Sequence, residues 1–159
     1  MLIRRFEADD AEHLVALFHA SVHQIGIHDY SAEQVSAWSP AVPDPRNYIR
    51  RSLDGRTFLV AVDDDNRPIG YGDLEADGHI DHLYCLPDLV GTGIGSALYD
   101  SLEEAARHRG IQILFVEASE AARRLLERKG FILEQRNDFT INGVAIHNYR
   151  MVKPLPFCR

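Results

Sequence analysis

Three glycines separated by single residues, Gly91, Gly93 and Gly95, follow a strand-like run within Leu83–Ser96 (LYCLPDLVGTGIGS) and lead into a helical pattern. Lacking a Cβ, such residues let a turn aim its backbone N–H groups inward and a ligand approach closely. The helix that begins there adds unpaired N–H groups and the positive end of its dipole. The chemistry this suits is phosphate or pyrophosphate binding. A glycine-rich turn that only joins a strand to a helix has the same composition, so the surroundings must decide. Two nucleotide motifs do not fit. The dinucleotide fingerprint needs a third glycine in register, but Ser96 and Ala97 follow Gly95. The mononucleotide P-loop ends in Gly-Lys-Ser/Thr, and no lysine lies near this turn.

A second set of residues has the chemistry of proton transfer. Glu117 closes a strand-like run, and His79 and Asp81 alternate with Leu83 on one face of another. A carboxylate whose pKa is raised by partial burial can act as a general base. The alternatives are a strand-end carboxylate bonding a loop backbone and, for His79 and His82, ordinary polar positions near a turn. Cys85, between Tyr84 and Leu86, reads as a small buried hydrophobe rather than a nucleophile. Eight histidines are present, and no metal is expected.

The glycine segment resembles motif A of the GCN5-related N-acetyltransferases (GNAT), a strand followed by Q/R-x-x-G-x-G/A and a long helix. Val90-Gly91-Thr92-Gly93-Ile94-Gly95 matches it except that Val90 replaces Gln or Arg. Ile113–Phe131 (ILFVEASEAARRLLERKGF) is similar to the family's motif B, a strand and a helix ending in Gly-Phe. The two occur in order at suitable spacing, and the resemblance covers roughly residues 55–153. Residues 14–39 narrow it to an uncharacterised bacterial subgroup with a Tyr-Ser-x-x-Gln-x-x-Ala-Trp segment, here Tyr30 to Trp38.

The resemblance implies acetyl transfer from acetyl-CoA to a primary amine of a small molecule or protein, by direct attack and without an acyl-enzyme. Main-chain groups of Leu83, Tyr84 and Cys85 would hold the pantetheine arm, and one near Cys85 would bond the thioester oxygen. Val90, Gly91, Thr92, Gly93, Ile94, Gly95 and Ser96 would hold the pyrophosphate, with Ser119 opening the motif-B helix. Glu117 and Asp81 are the implied bases. The tyrosine that many members place four residues before the Gly-Phe is replaced by Leu126. Tyr30, Tyr149 or a water would then protonate the thiolate, or it leaves unassisted. Tyr30, Trp38 and His82, with His23, His28 and Asp29, would form the acceptor pocket, although Trp38 also reads as a simple anchor. Arg123 and Arg124 read as coenzyme phosphate contacts or as solvated surface. A rival reading is a catalytically weak acyl-CoA-binding sensor or interaction module on the same fold.

Composition agrees with this class. At 159 residues, 45% hydrophobic and 26% charged, the chain reads as one domain with a substantial core. A net charge of −7 argues against nucleic acid and favours cationic or neutral small substrates. Two cysteines, Cys85 and Cys158, suggest a reducing cytoplasm. No membrane association is expected, and a homodimer is compatible with the class.

The elements that must position these residues follow from local signals. Leu2–Phe6 reads as a strand, and Asp9 or Asp10 as the cap of a helix to about Val22. Ser31 with Gln34 is a capping-box signature for a helix ending near Trp38. Asn47–Leu53 reads as a further helix. Thr57–Val62, Ile69–Ala76 and His79–Leu86 read as strands, and the helix after the glycines runs to about Arg109. Ile111–Glu117 is the next strand, Ser119 caps a helix over Glu120–Lys129, and Asn142-Gly143 turns a hairpin of Asp138–Ile141 and Val144–Val152. The expected fold is an α+β sandwich: a mixed, mostly antiparallel sheet with a splayed central strand pair and helices on both faces. Residues 1–54 would supply the acceptor side and 55–153 the acetyl-CoA core.

Overall fold

A computed structural model describes residues 1–156. Seven strands and five α-helices follow the expected order: β1 (Leu2–Arg5), α1 (Ala11–Gln24), α2 (Ala32–Trp38), α3 (Pro45–Ser52), β2 (Thr57–Val62), β3 (Pro68–Leu74), β4 (Ile80–Cys85), α4 (Ile94–His108), β5 (Ile113–Ala118), α5 (Glu120–Arg128), β6 (Ile132–Ile141) and β7 (Val144–Pro154). The strands form two antiparallel sheets, ordered β1-β2-β3-β4 and β5-β7-β6. The sheets touch at one isolated bridge, His79 to Phe115, where the Phe115 N–H donates to the Gly78 carbonyl at 3.1 Å. Beyond that point β4 and β5 diverge, which is the expected splay.

Glycines set both close approaches. Gly78 has φ +98°, and a Cβ there would lie 2.1 Å from the Ile113 carbonyl oxygen. On β3, a Cβ at Gly70 would meet Ile94 at 2.8 Å and one at Gly72 would meet Leu102 at 3.0 Å, so α4 lies directly on the sheet. The apolar stripe of α4, with Leu98, Tyr99, Leu102 and Ala106 buried, occupies that space.

The Ser31–Gln34 capping box forms as expected. Gln34 also donates to the Ala145 carbonyl at 3.0 Å, and Asn142 donates to that of Ala37 at 3.0 Å. These two bonds fasten α2 to the β6–β7 hairpin. The first helix is capped differently from the expectation. Asp10 makes no cap hydrogen bond for α1; its carboxylate instead takes Arg4 at 2.8 and 2.9 Å and the Glu7 N–H at 2.8 Å. Strand β6 begins six residues before the expected Asp138, its side chains almost all exposed. Cys158 lies outside the described residues.

Candidate active site

Two cavities of about 310 and 340 Å³ lie in the gap between the sheets. Their walls share Tyr30, Trp38, Leu83, Tyr84, Ser119 and Ala122, so the two spaces meet over the middle of β4.

The larger cavity is a groove that reaches the glycine loop and is lined by Leu83, Tyr84, Cys85, Val90, Gly91, Gly93, Ile94, Gly95, Ser96 and Ser119. Gly91 and Gly93 hold φ of +83° and +93°, and nothing lies within 4 Å of a Cβ built on either. Gly93 caps α4 without a side-chain bond, and the first helical acceptor is the Gly93 carbonyl, bonded by Ala97 N–H at 3.0 Å. The N–H groups of Ile94, Gly95 and Ser96 therefore stand unbonded at the positive end of a 15-residue helix. This donor set fits an anion. Thr92 is exposed and folds back on its own loop, its N–H and hydroxyl both donating to the Leu89 carbonyl. Along β4, the Leu86 N–H bonds Ile69 on β3. Strand edges alternate, so the main-chain groups of Cys85 and Leu83 face the gap. Arg128 is the cationic side chain lining the groove. Arg123 and Arg124 do not line it: Arg124 pairs with Asp29 at 2.8 Å, and Arg123 pairs with Glu127 at 2.8 Å over the Tyr149 ring. Burial pushes the Cys85 thiol up, away from nucleophilic thiolate character.

The smaller cavity brings together Tyr30, Trp38, Asp81, His82 and Glu117. Its floor depends on a bulge. Gly72 pairs with Leu83 and Leu74 with Ile80, so Asp81 and His82 together oppose Asp73. Alternation breaks there, and both residues line the cavity. Asp73, fully buried, accepts the freed His82 N–H at 2.7 Å and takes Arg51 and Arg56, each at 2.7 Å. Arg51 also reaches Asp81 at 2.8 Å. Burial pushes the Asp81 carboxyl up, but the charges of His82, Arg51 and His79 outweigh it and leave it below its ordinary value. A carboxylate held in this way is a weak proton acceptor.

His82 is packed against aromatic rings: Phe18 stacks on it at 5.5 Å, and Tyr48 and Tyr84 meet it edge-on. Its Nδ1 lies 2.9 Å from the Tyr71 hydroxyl, which shares a 2.7 Å hydrogen bond with Tyr48. Burial and then Arg51 push its pKa down to about 4, so the ring is neutral at pH 7. Glu117 lies across the gap with its side chain 38% exposed and bonds His79 Nε2 at 2.5 Å and Arg150 at 3.4 Å. The other ring nitrogen of His79 meets Glu75 at 2.8 Å. Burial lowers the His79 pKa, but the bonds from Glu75 and Glu117 more than reverse this and raise it. His79 is thus a clasp at the fork of the sheets.

Tyr30 donates to the His147 carbonyl at 3.1 Å and accepts the Glu120 N–H at 3.1 Å, and burial pushes its pKa up to about 12. Its hydroxyl joins α5 to β7. Leu126 lies in the cavity wall. The residues around Tyr30 divide differently from the expectation. Asp29 lines the groove, and His23 and His28 line neither space. His23 bonds the Ser39 carbonyl and His19 the Ser39 hydroxyl, each at 2.7 Å, from one turn apart on α1. Glu75, His79 and Asp81 place ligand-capable atoms within 4.8 Å of one another, a grouping the histidine spacing alone does not reveal.

Residues 27–153 match the acetyltransferase (GNAT) domain family, a span that includes the glycine loop, β5, α5 and most of the hairpin. The chain belongs to the GNAT acetyltransferase family. It is 25% identical to the uncharacterized N-acetyltransferase YafP of Escherichia coli (strain K12), over 94% of this chain and 93% of that protein. A crystal structure described as a GCN5-related N-acetyltransferase (aminotransferase, class-II) from Rhodopseudomonas palustris superposes with a TM-score of 0.88 at 38% identity. The match covers 97% of this chain and 95% of the other. The fold of a GNAT phosphinothricin acetyltransferase from Sinorhizobium meliloti, solved with acetyl-CoA, is also shared, with a TM-score of 0.77 at 21% identity over 97% and 88% of the two chains. Among the described residues, no helix is long and apolar enough to cross a membrane.

Proposed function

We propose that this GNAT protein transfers the acetyl group of acetyl-CoA to a primary amine, with the groove holding the coenzyme and the smaller cavity the acceptor. The observation that carries this is the meeting of the two spaces over Leu83 and Tyr84, beside a glycine loop with unbonded N–H groups. The Tyr30-Ser31-x-x-Gln34-x-x-Ala37-Trp38 segment supports placing the chain in the bacterial subgroup named above. Residues 1–54 then supply the acceptor side, and a reducing cytoplasm suits the free Cys85.

Acetyl-CoA, when bound, supplies an activated acetyl carbonyl. The N–H groups of Gly91, Gly93, Ile94, Gly95 and Ser96 bind its pyrophosphate, with Val90 and Thr92 shaping the loop and Ser119 bordering the arm. Main-chain groups of Leu83 and Cys85 orient the arm, and an N–H near Cys85 stabilises charge on the carbonyl oxygen. Glu117 accepts the acceptor's proton at its carboxylate and passes it towards solvent. Asp81, gripped by Arg51 and Arg56, orients the ammonium instead of deprotonating it. His82 presents an uncharged ring to the acceptor. Tyr30 holds the wall at the junction of the two spaces and carries a hydroxyl, which Leu126 lacks, to protonate the departing thiolate.

Release of free thiol from acetyl-CoA over a panel of amines tests this. Amine-dependent release is expected, with Glu117→Gln slower by about 100-fold or more and acetyl-CoA affinity unchanged. Tight acetyl-CoA binding without turnover of any amine would instead support the sensor reading.

A further inference from the structure

The lining of the acceptor cavity also restricts what the amine is attached to. Its ionisable side chains are Asp81, Glu117, Tyr30, Tyr84 and two histidines, and neither Lys nor Arg lines it. The arginines that neutralise Asp81, Arg51 at 2.8 Å and Arg56 at 3.5 Å, are shared with the buried Asp73 and do not line the cavity. Much of the remaining wall is apolar, with Phe18, Trp38, Phe139, Ile141 and Ile146. Four of these belong to one cluster, in which Phe18, Trp38 and Ile141 pack on Val22, Tyr30, Val35 and Ile146.

Three acceptor classes conflict with this lining. A carboxylate or phosphate beside the amine would lose water next to Asp81 and Glu117, whose partners Arg51 and Arg150 are already paired and do not line the cavity. A polyamine brings further ammonium groups and no apolar body, so the aromatic and aliphatic part of the wall gains nothing from it and the extra charges lose water there. A peptide amino terminus carries further polar backbone into a space of only about 310 Å³. An amine on an aromatic body has none of these costs. Its ammonium faces the carboxylates and aromatic rims, and its ring buries apolar area against Trp38 and Phe139.

We propose that the acceptor is a small primary amine on an apolar, aromatic-sized body that carries no anionic group. The proposal rests on the acetyltransferase reading above. The amine nitrogen bonds the acetyl carbonyl carbon, the C–S bond breaks with its electron pair on sulfur, and the proton lost from nitrogen restores the thiol. An N-substituted acetamide and free coenzyme A result.

The test compares 2-phenylethylamine, phenylalanine, phenylalaninamide and spermidine. Rates of thiol release are read beside calorimetric titration of each amine into protein saturated with coenzyme A. Both readouts should favour 2-phenylethylamine over phenylalanine by at least about 100-fold, with phenylalaninamide close to the former because its charge is gone. Phe139→Lys, which puts a cation at a half-exposed rim position, should reduce the preference at least about tenfold. Equal or better use of phenylalanine or spermidine would overturn the proposal while leaving the acetyltransferase reading intact. So would a preference unchanged in Phe139→Lys. Failure to bind acetyl-CoA at all would overturn both.

Discussion

Acidification should cost this protein stability at one identifiable ring. His82 is buried as a neutral imidazole with its pKa pushed from an ordinary 6.5 down to about 4. As pH falls, the unfolded chain takes up the proton first, so stability is lost between about pH 6.5 and pH 4 and levels off below. A shift of that size, at 1.36 kcal/mol per unit, corresponds to about 3 kcal/mol. For a chain of this length that is about 6–12 °C of melting temperature. His82→Asn keeps a polar atom near the Tyr71 hydroxyl and removes the titration. Melting curves of both proteins from pH 7 to pH 4 should therefore show the wild type losing about 3 kcal/mol more than the variant. Parallel losses in the two proteins would refute the burial argument and, with it, an uncharged ring at the acceptor cavity.

Other perturbations follow from the same contacts. His79 has the opposite sign: its raised pKa means that its pairs with Glu75 and Glu117 are fully present below the ordinary histidine range and fade as pH rises through the raised value. The deficit of His79→Gln, read from denaturant titrations, should thus be largest in acid and shrink towards pH 9. Asp73→Asn leaves Arg51 and Arg56 facing a neutral group in the core and should cost about 3–5 kcal/mol by chemical denaturation. Gly78→Ala combines a left-handed backbone with a Cβ 2.1 Å from a carbonyl oxygen, and about 2–5 kcal/mol should be lost. Hydrogen exchange at Phe115 should rise in that variant, because its N–H bonds Gly78.

What the sequence made legible was local. The spacing of Gly91, Gly93 and Gly95 needs only its own turn, and Ser31 with Gln34 forms its box within four residues, so both appear as read. The floor of the smaller cavity was not legible. Alternation puts Asp81 and His82 on opposite faces, and the bulge that sets both against Asp73 depends on the neighbouring strand, where the Asp73 carboxylate takes the His82 N–H. The signal was a run of charges, Arg51, Arg56, Asp73 and Asp81, scattered over four elements and turns, too many for one exposed surface. Helix α5 was read nearly to its end, but not which of its arginines faces the groove: Arg128 lines it, whereas Arg123 and Arg124 turn to Glu127 and Asp29. The first six residues of β6 alternate weakly because the strand lies at a sheet edge with both faces wet.

The central claim is that the glycine loop and the splayed β4 form a coenzyme A site, and calorimetric titration of acetyl-CoA tests it most directly. Gly95 has an ordinary backbone and its Cβ position meets only Leu125, at 3.5 Å, so Gly95→Trp fills the groove while keeping the fold. The wild type should bind acetyl-CoA, and the variant, with an unchanged melting temperature, should bind at least about tenfold more weakly, a difference of about 1.4 kcal/mol. A folded wild type that does not bind, or equal affinity in the two proteins, would contradict the account.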